Sequence, residues 1–157
     1  MKNKVILTLF LSSLLFGKQS IAQEVIRQAP CSLPAILQQA DSIKSAFANL
    51  GFIVVKEASV QMESQYEMPV IVPLTEGSWY QFIFIGDMSS RLYEVRMFDW
   101  NEKQVVYQKK MWGDVDGNVI SYSYIPKFSE FHMIKPIQVN NKKKNLCGYV
   151  MLLKKIN

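Results

Sequence analysis

The residues of this chain best suited to chemistry lie in one short loop. Trp112 is followed by Gly113-Asp114-Val115-Asp116-Gly117-Asn118, which places oxygen-bearing side chains at alternate positions beside an aromatic ring. Alternating oxygens around a glycine are how calcium loops begin. Yet an EF-hand wants its glycine sixth and a glutamate twelfth, whereas here the glycine comes fourth and the next acid is Glu130. Asp-Gly-Asn also serves as an ordinary turn. Asp114, Asp116 and Asn118 are therefore the one weak calcium set, with Asp87 and Asp99 as conceivable outside ligands, and no cofactor is expected. As a binding site, Trp112, Asp114, Asp116 and Asn118 could stack on a sugar and hold its hydroxyls. The competing reading makes Trp112 a cap on the core and the loop a plain turn.

Other chemistry is thinner. His132 is the sole histidine and could pair with Cys31 or Cys147 as a nucleophile, but a disulfide between the cysteines would leave no thiolate. With one cysteine near each end, an even count and an oxidising destination, a Cys31–Cys147 bridge is expected, and without a Cys-x-x-Cys spacing it would be structural. Nucleophile elbows, zinc helices, phosphate loops and dinucleotide fingerprints are absent. No catalytic residue is assigned, and no enzyme is expected. Carboxylates that converge only in three dimensions leave a small secreted hydrolase as the alternative. Trp79, Trp100 and Trp112 form the most informative aromatic group. Trp100 and Trp112 flank polar turns, where an indole can recognise a partner. Lys142-Lys143-Lys144 could attract anionic lipid or polysaccharide, though such a run is usually a solvated hairpin tip.

The segment that decides where this chemistry would operate is at the start. Lys2 and Lys4 precede an apolar run from Val5 to Phe16, and Ser20-Ile21-Ala22 offers small residues at the −3 and −1 positions of a signal-peptidase site. That run is about a dozen residues, short of the roughly 20 a spanning helix needs. Residues 1–22 thus read as a signal peptide, 23–31 as an N-terminal tether and 32–157 as a single domain. The protein is expected to be secreted or periplasmic, with no transmembrane anchor after cleavage near Ala22. Lys2, Lys4 and Lys18 carry three of the charges behind the net +5, which leaves +2 for the mature chain. So weak a balance argues against nucleic acid as a partner.

The elements that must position these residues follow from periodicity. Leu33, Ile36, Leu37, Ala40, Ile43, Phe47 and Leu50 recur at helical spacing, with Ser32 as N-cap, Pro34 in the first turn and Gly51 as C-cap. After Gly51 the period becomes two. Strands are predicted over 52–60, 66–74, 79–85, 91–99, 104–111, 120–124, 131–139 and 146–155. Pro69 and Pro73 assign the second of these to a sheet edge. The span 79–85 is apolar on both faces, as a strand covered by two layers must be. The fold expected is mostly β: an antiparallel β-sandwich or jelly roll of about eight strands with one N-terminal amphipathic helix.

Leu74, Gly77, Tyr80, Phe82, Gly86-Asp87, Phe98-Asp99 and Tyr122-Ser123-Tyr124-Ile125-Pro126 resemble the pattern of the bacterial pre-peptidase C-terminal family of jelly-roll domains, over about residues 74–153. The match departs at Leu92, where the family tends to carry an acid, and near Phe131, where its late Gly-x-Tyr is missing. The resemblance implies the sandwich fold and an accessory secreted module without an active site. The function expected is accordingly a non-enzymatic binding module of the cell envelope that recognises a protein or glycan. Trp100 and Trp112 bracket one strand and should lie at opposite ends of the sandwich, so the binding residues are placed at the Trp112 end alone.

Overall fold

The computed structural model describes residues 30–115 and 117–156. The expected signal peptide, most of the expected tether, Asp116 and Asn157 lie outside the described residues. Helix α1 (Pro34–Asn49) is followed by β1 (Phe52–Glu63), β2 (Val70–Leu74), β3 (Tyr80–Gly86), β4 (Leu92–Phe98), β5 (Gln104–Met111), β6 (Val119–Tyr124), β7 (Glu130–Val139) and β8 (Asn145–Lys155). The strands form two four-stranded antiparallel sheets, ordered β1-β8-β3-β6 and β2-β7-β4-β5. This is the expected sandwich with its single helix. No helix among the described residues is long and apolar enough to cross a membrane.

The two-sided strand read from the sequence is β3, every residue of which is buried. Tyr80, Phe82 and Phe84 point between the sheets, where they meet Val95, Met97, Ile134 and Leu152. Ile83 and Ile85 point the other way, into a second core with Ile36 and Ala40 of α1 and Tyr149, Met151 and Leu153 of β8. The chain is thus three layers deep on one side, helix on sheet on sheet. Each such aliphatic or aromatic side chain withdrawn from water contributes roughly 1.5–3 kcal/mol.

Several local expectations are corrected. The helix N-cap is Leu33, which offers no side-chain oxygen, and Ser32 does not cap. Pro34 holds the first helical position, where its missing N–H costs nothing. Gly51 does turn the chain, at φ +78, with its N–H on the Ala48 carbonyl at 2.9 Å. β2 begins at Val70, after Pro69, and it is an edge strand as expected. The lysine turn after Val139 is no hairpin. β7 and β8 belong to different sheets, so the turn is a crossover between them.

Cys31 and Cys147 are disulfide-bonded, with Cα atoms 5.6 Å apart across 116 positions. That bridge fastens the chain before α1 to β8, and Ser59 Oγ adds a hydrogen bond to the Cys31 carbonyl.

Candidate functional site

β5 separates Trp100 from Trp112, and the loops sort to the two ends of the sandwich as its direction requires. Both indoles are exposed, Trp100 at 69 % and Trp112 at 75 %, so neither plugs the core.

At the Trp112 end, the expected site residues border one shallow depression of about 250 Å³, lined by Met88, Tyr93, Trp112, Gly113, Asp114, Gly117 and Asn118. Several polar atoms of the described ones are already engaged. Asp114 Oδ2 accepts the Met111 N–H at 2.6 Å, closing the turn. The Asn118 amide donates to Gln39 Oε1 at 2.8 Å and to the Gly86 carbonyl at 3.1 Å, which ties the loop to α1 and β3. Deeper in, the fully buried Gln138 accepts the Asp87 N–H at 2.9 Å and the Ser90 hydroxyl at 3.1 Å, and donates to the Cys147 carbonyl at 2.8 Å. The Asp87 carboxylate takes the Ser89 N–H and hydroxyl at 2.9 and 2.7 Å. Burial alone would raise its pKa; the Ser89 hydroxyl and N–H, joined by the Cys147 N–H, outweigh burial and hold it below the ordinary value. Asp87 is therefore a turn anchor, remote from the calcium role allowed it above. No cluster of three or more acids, histidines or cysteines able to hold a metal exists among the described residues.

The opposite end is built differently. The turn 75–79 is fastened to the segment 125–129: the Gly77 N–H reaches the Pro126 carbonyl at 3.0 Å and the Glu76 N–H the Ser129 hydroxyl at 2.9 Å. Between that segment and the β4–β5 turn opens a pocket of about 450 Å³, lined by Asp99, Lys103, Gln104, Val105, Tyr124, Ile125, Lys127, Phe128 and Glu130. Asp99 uses Oδ1 to accept the N–H groups of Asn101 and Lys103, both at 2.9 Å, so its carboxylate is fixed at the turn rather than lent to a distant ion. Behind the wall, His132 is 1 % exposed. Its Nδ1 lies 3.4 Å from the Glu130 carbonyl, which can only accept. A neutral ring that donates from Nδ1 to that carbonyl accepts the Tyr124 hydroxyl at Nε2, 3.2 Å away, with Glu130 Oε1 3.7 Å from the same nitrogen. The disulfide removes the thiolate that a cysteine–histidine pair would need. His132 instead orients Tyr124, whose pKa is raised by burial first, then by Glu130 and Asp99. That order places both carboxylates in the electrostatic reach of one phenol.

Beside the pocket Trp100 packs on Phe131, ring centroids 6.3 Å apart. A second depression shares Tyr124 and Ile125 and ends on Trp79, which meets Phe52 edge-on at 5.6 Å. The outer face of the β2-β7-β4-β5 sheet contributes less. Its charges close on one another, with Arg96 on Glu94 at 2.5 Å and Lys135 on Glu67 at 2.8 Å. Glu130, Tyr124 and Phe128 were not singled out in the sequence. The only signal near them was the Tyr-Ser-Tyr-Ile-Pro run and the tryptophan of the facing turn.

No protein-family model matches the chain, and no curated protein does. Among solved structures it resembles one described as "CBM4 structure and function", with a TM-score of 0.42 and 13 % identity over 67 % of this chain and 79 % of that one. Carbohydrate-binding modules of the β-sandwich superfamily, described for promiscuous specificity, give 0.40 and 10 % over 68 % and 57 %. TmCBM61 in complex with β-1,4-galactotriose gives 0.36 and 9 % over 66 % and 87 %.

Proposed function

We propose that the protein is a non-enzymatic binding module of the bacterial cell envelope, and that it recognises a glycan at the end carrying Asp99, Tyr124, Phe128 and Glu130. One observation carries this reading: a single open pocket combines aromatic and apolar walls with two carboxylates and two lysines. A sugar ring has an apolar face that packs on an aromatic side chain and an edge of hydroxyls. Carboxylates accept those hydroxyls while ammonium groups donate to them, which is the mixture this pocket offers. Trp100 and Phe131 would extend the stacking surface toward the next residue of a chain. A protein partner would call for a broader patch, on the order of 800 Å² per side for a stable complex. Secretion and kinship with the pre-peptidase C-terminal domains belong to the same proposal.

A second reading rests on Asp99 and Glu130 lining the same pocket, since a glycoside hydrolase needs two carboxylates at one site. Calorimetric titration against a panel of soluble polysaccharides, with reducing-end release measured in parallel, separates the two. Binding without hydrolysis, weakened about tenfold or more by Phe128→Ala or Trp100→Ala, supports the module. Hydrolysis abolished by Asp99→Asn or Glu130→Gln would replace it with the enzyme. Binding that survives all four substitutions would remove the pocket from consideration.

A further inference from the structure

The Trp112 end has no part in that reading, yet it carries exposed apolar groups of its own beside exposed lysines. Three segments there behave as one unit. Asn140 Nδ2 donates to the Ser89 carbonyl at 2.6 Å, joining the β7–β8 crossover to the β3–β4 turn. The Trp112 N–H donates to the Arg91 carbonyl at 2.8 Å, joining the β5–β6 loop to the same turn. Asn140 Oδ1 accepts the N–H groups of Lys142 and Lys143 at 2.8 and 2.9 Å, so the backbone bearing both lysines is held in place.

What projects from this rigid end is apolar. Met88 is 59 % exposed, Trp112 75 % and Val115 86 %. Met88 and Trp112 border the same depression, and the Val115 carbonyl accepts from Lys110 Nζ at 3.3 Å. The polar atoms of these loops turn inward, to Gln39, Gly86, Met111 and Cys147. Of the acids described at this end, Asp87 is buried in its turn, and Asp114, at the surface, gives one oxygen to the Met111 N–H. Lys144 is paired with Glu63 at 3.2 Å. Lys142 and Lys143 are exposed beside the apolar tips. The tips protrude rather than enclose, and the depression among them offers few unspent polar atoms to a ligand.

We propose that this end docks on an anionic phospholipid surface. Trp112, Val115 and Met88 would enter the headgroup region, where an indole is favoured and aliphatic groups leave water. Lys142 and Lys143 would meet the lipid phosphates. The contact is peripheral and reversible, and it would present the opposite, glycan-facing pocket away from the bilayer.

Sedimentation of the full chain with vesicles tests this, using phosphatidylcholine alone and an equimolar mixture with phosphatidylglycerol. The expected result is binding to the mixed vesicles only, released as salt shortens the reach of the lysines, with a blue shift of tryptophan emission. Lys142→Glu/Lys143→Glu should weaken it about 25-fold or more, at about fivefold per lysine near the surface. Trp112→Ala/Val115→Ser should weaken it about tenfold or more and remove most of the emission shift. All four positions are exposed, so both variants should melt like the parent. Absence of binding, equal binding to phosphatidylcholine alone, or preference for an anionic polysaccharide such as heparin would overturn the proposal. So would binding that both variants retain, because it would then not arise at these tips.

Discussion

The two loop ends of the sandwich differ in how many of their polar residues they bury. At the Trp112 end, Gln138, Asp87 and Asn118 are buried and satisfy the turns, and Asp114 closes its turn at the surface beside exposed methionine, valine and tryptophan. At the Trp100 end, Asp99, Glu130, Lys103 and Lys127 edge an open pocket, while the buried polar pair is Tyr124 and His132. The difference follows from what each end must close. The disulfide and the β7–β8 crossover meet at the first, where β3 and β8 run side by side with Gly86 opposite Gly148. A Cβ at Gly86 would come within 2.5 Å of the Tyr93 ring, so chain segments are pressed together there and every donor needs a partner. The second end is closed by turns no longer than those of the first, fastened by backbone bonds and by Asp99, and they leave Lys103 and Lys127 exposed to solvent and ligand.

If the first end is a structural clamp, it should hold most of the stability. Replacing Cys31 and Cys147 by serine should have the largest effect. Opening a loop of 116 positions is worth about 5 kcal/mol in the chain-entropy model, read out as a fall in the chemical-denaturation midpoint. Gln138→Leu should rank next, at about 2–4 kcal/mol, because it strands the Asp87 N–H, the Ser90 hydroxyl and the Cys147 carbonyl together. A loss under about 0.5 kcal/mol would mean that water replaces those bonds and that the two ends are less different than their hydrogen bonding implies.

Acid should reach the clamp through Asp87. Its pKa is lower folded than unfolded, so its contribution is complete above the ordinary value of 3.8 and is lost as pH falls through the folded one. Melting temperature should therefore drop below about pH 4, and Asp87→Asn should flatten that part of the curve while lowering stability at neutral pH. The smallest effects belong to the exposed indoles. Trp100→Ala and Trp112→Ala should each change stability by about 0.5–1 kcal/mol or less. A loss near the 3–5 kcal/mol of a buried aromatic would return the tryptophan concerned to the core.

Much of this architecture was legible residue by residue. The helix from Pro34, the glycine that ends it and the doubly covered β3 each follow from a local pattern of apolar side chains. A strand between two layers has no face on which polar residues are tolerated, and Phe82-Ile83-Phe84-Ile85 records that directly. The pairing of Cys31 with Cys147 also needed nothing beyond count and setting. The site was legible only in part. That the two tryptophans would fall at opposite ends follows from the odd number of strands between them, but their exposure does not. A bulky ring beside a turn can fold inward or outward at equal local cost.

The amino-acid sequence by itself determined the class of the fold, its elements and its crosslink, because hydrophobic period, turn residues and cysteine count are properties of neighbours along the chain. Tertiary structure alone decided that the lysine turn crosses between sheets and that His132 is enclosed behind Tyr124. It alone decided that Asp99 and Glu130, thirty-one positions apart in the chain, border one pocket. Those facts depend on which strand lies beside which, and sheet order is set by the summed burial of two cores rather than by any segment's own preference.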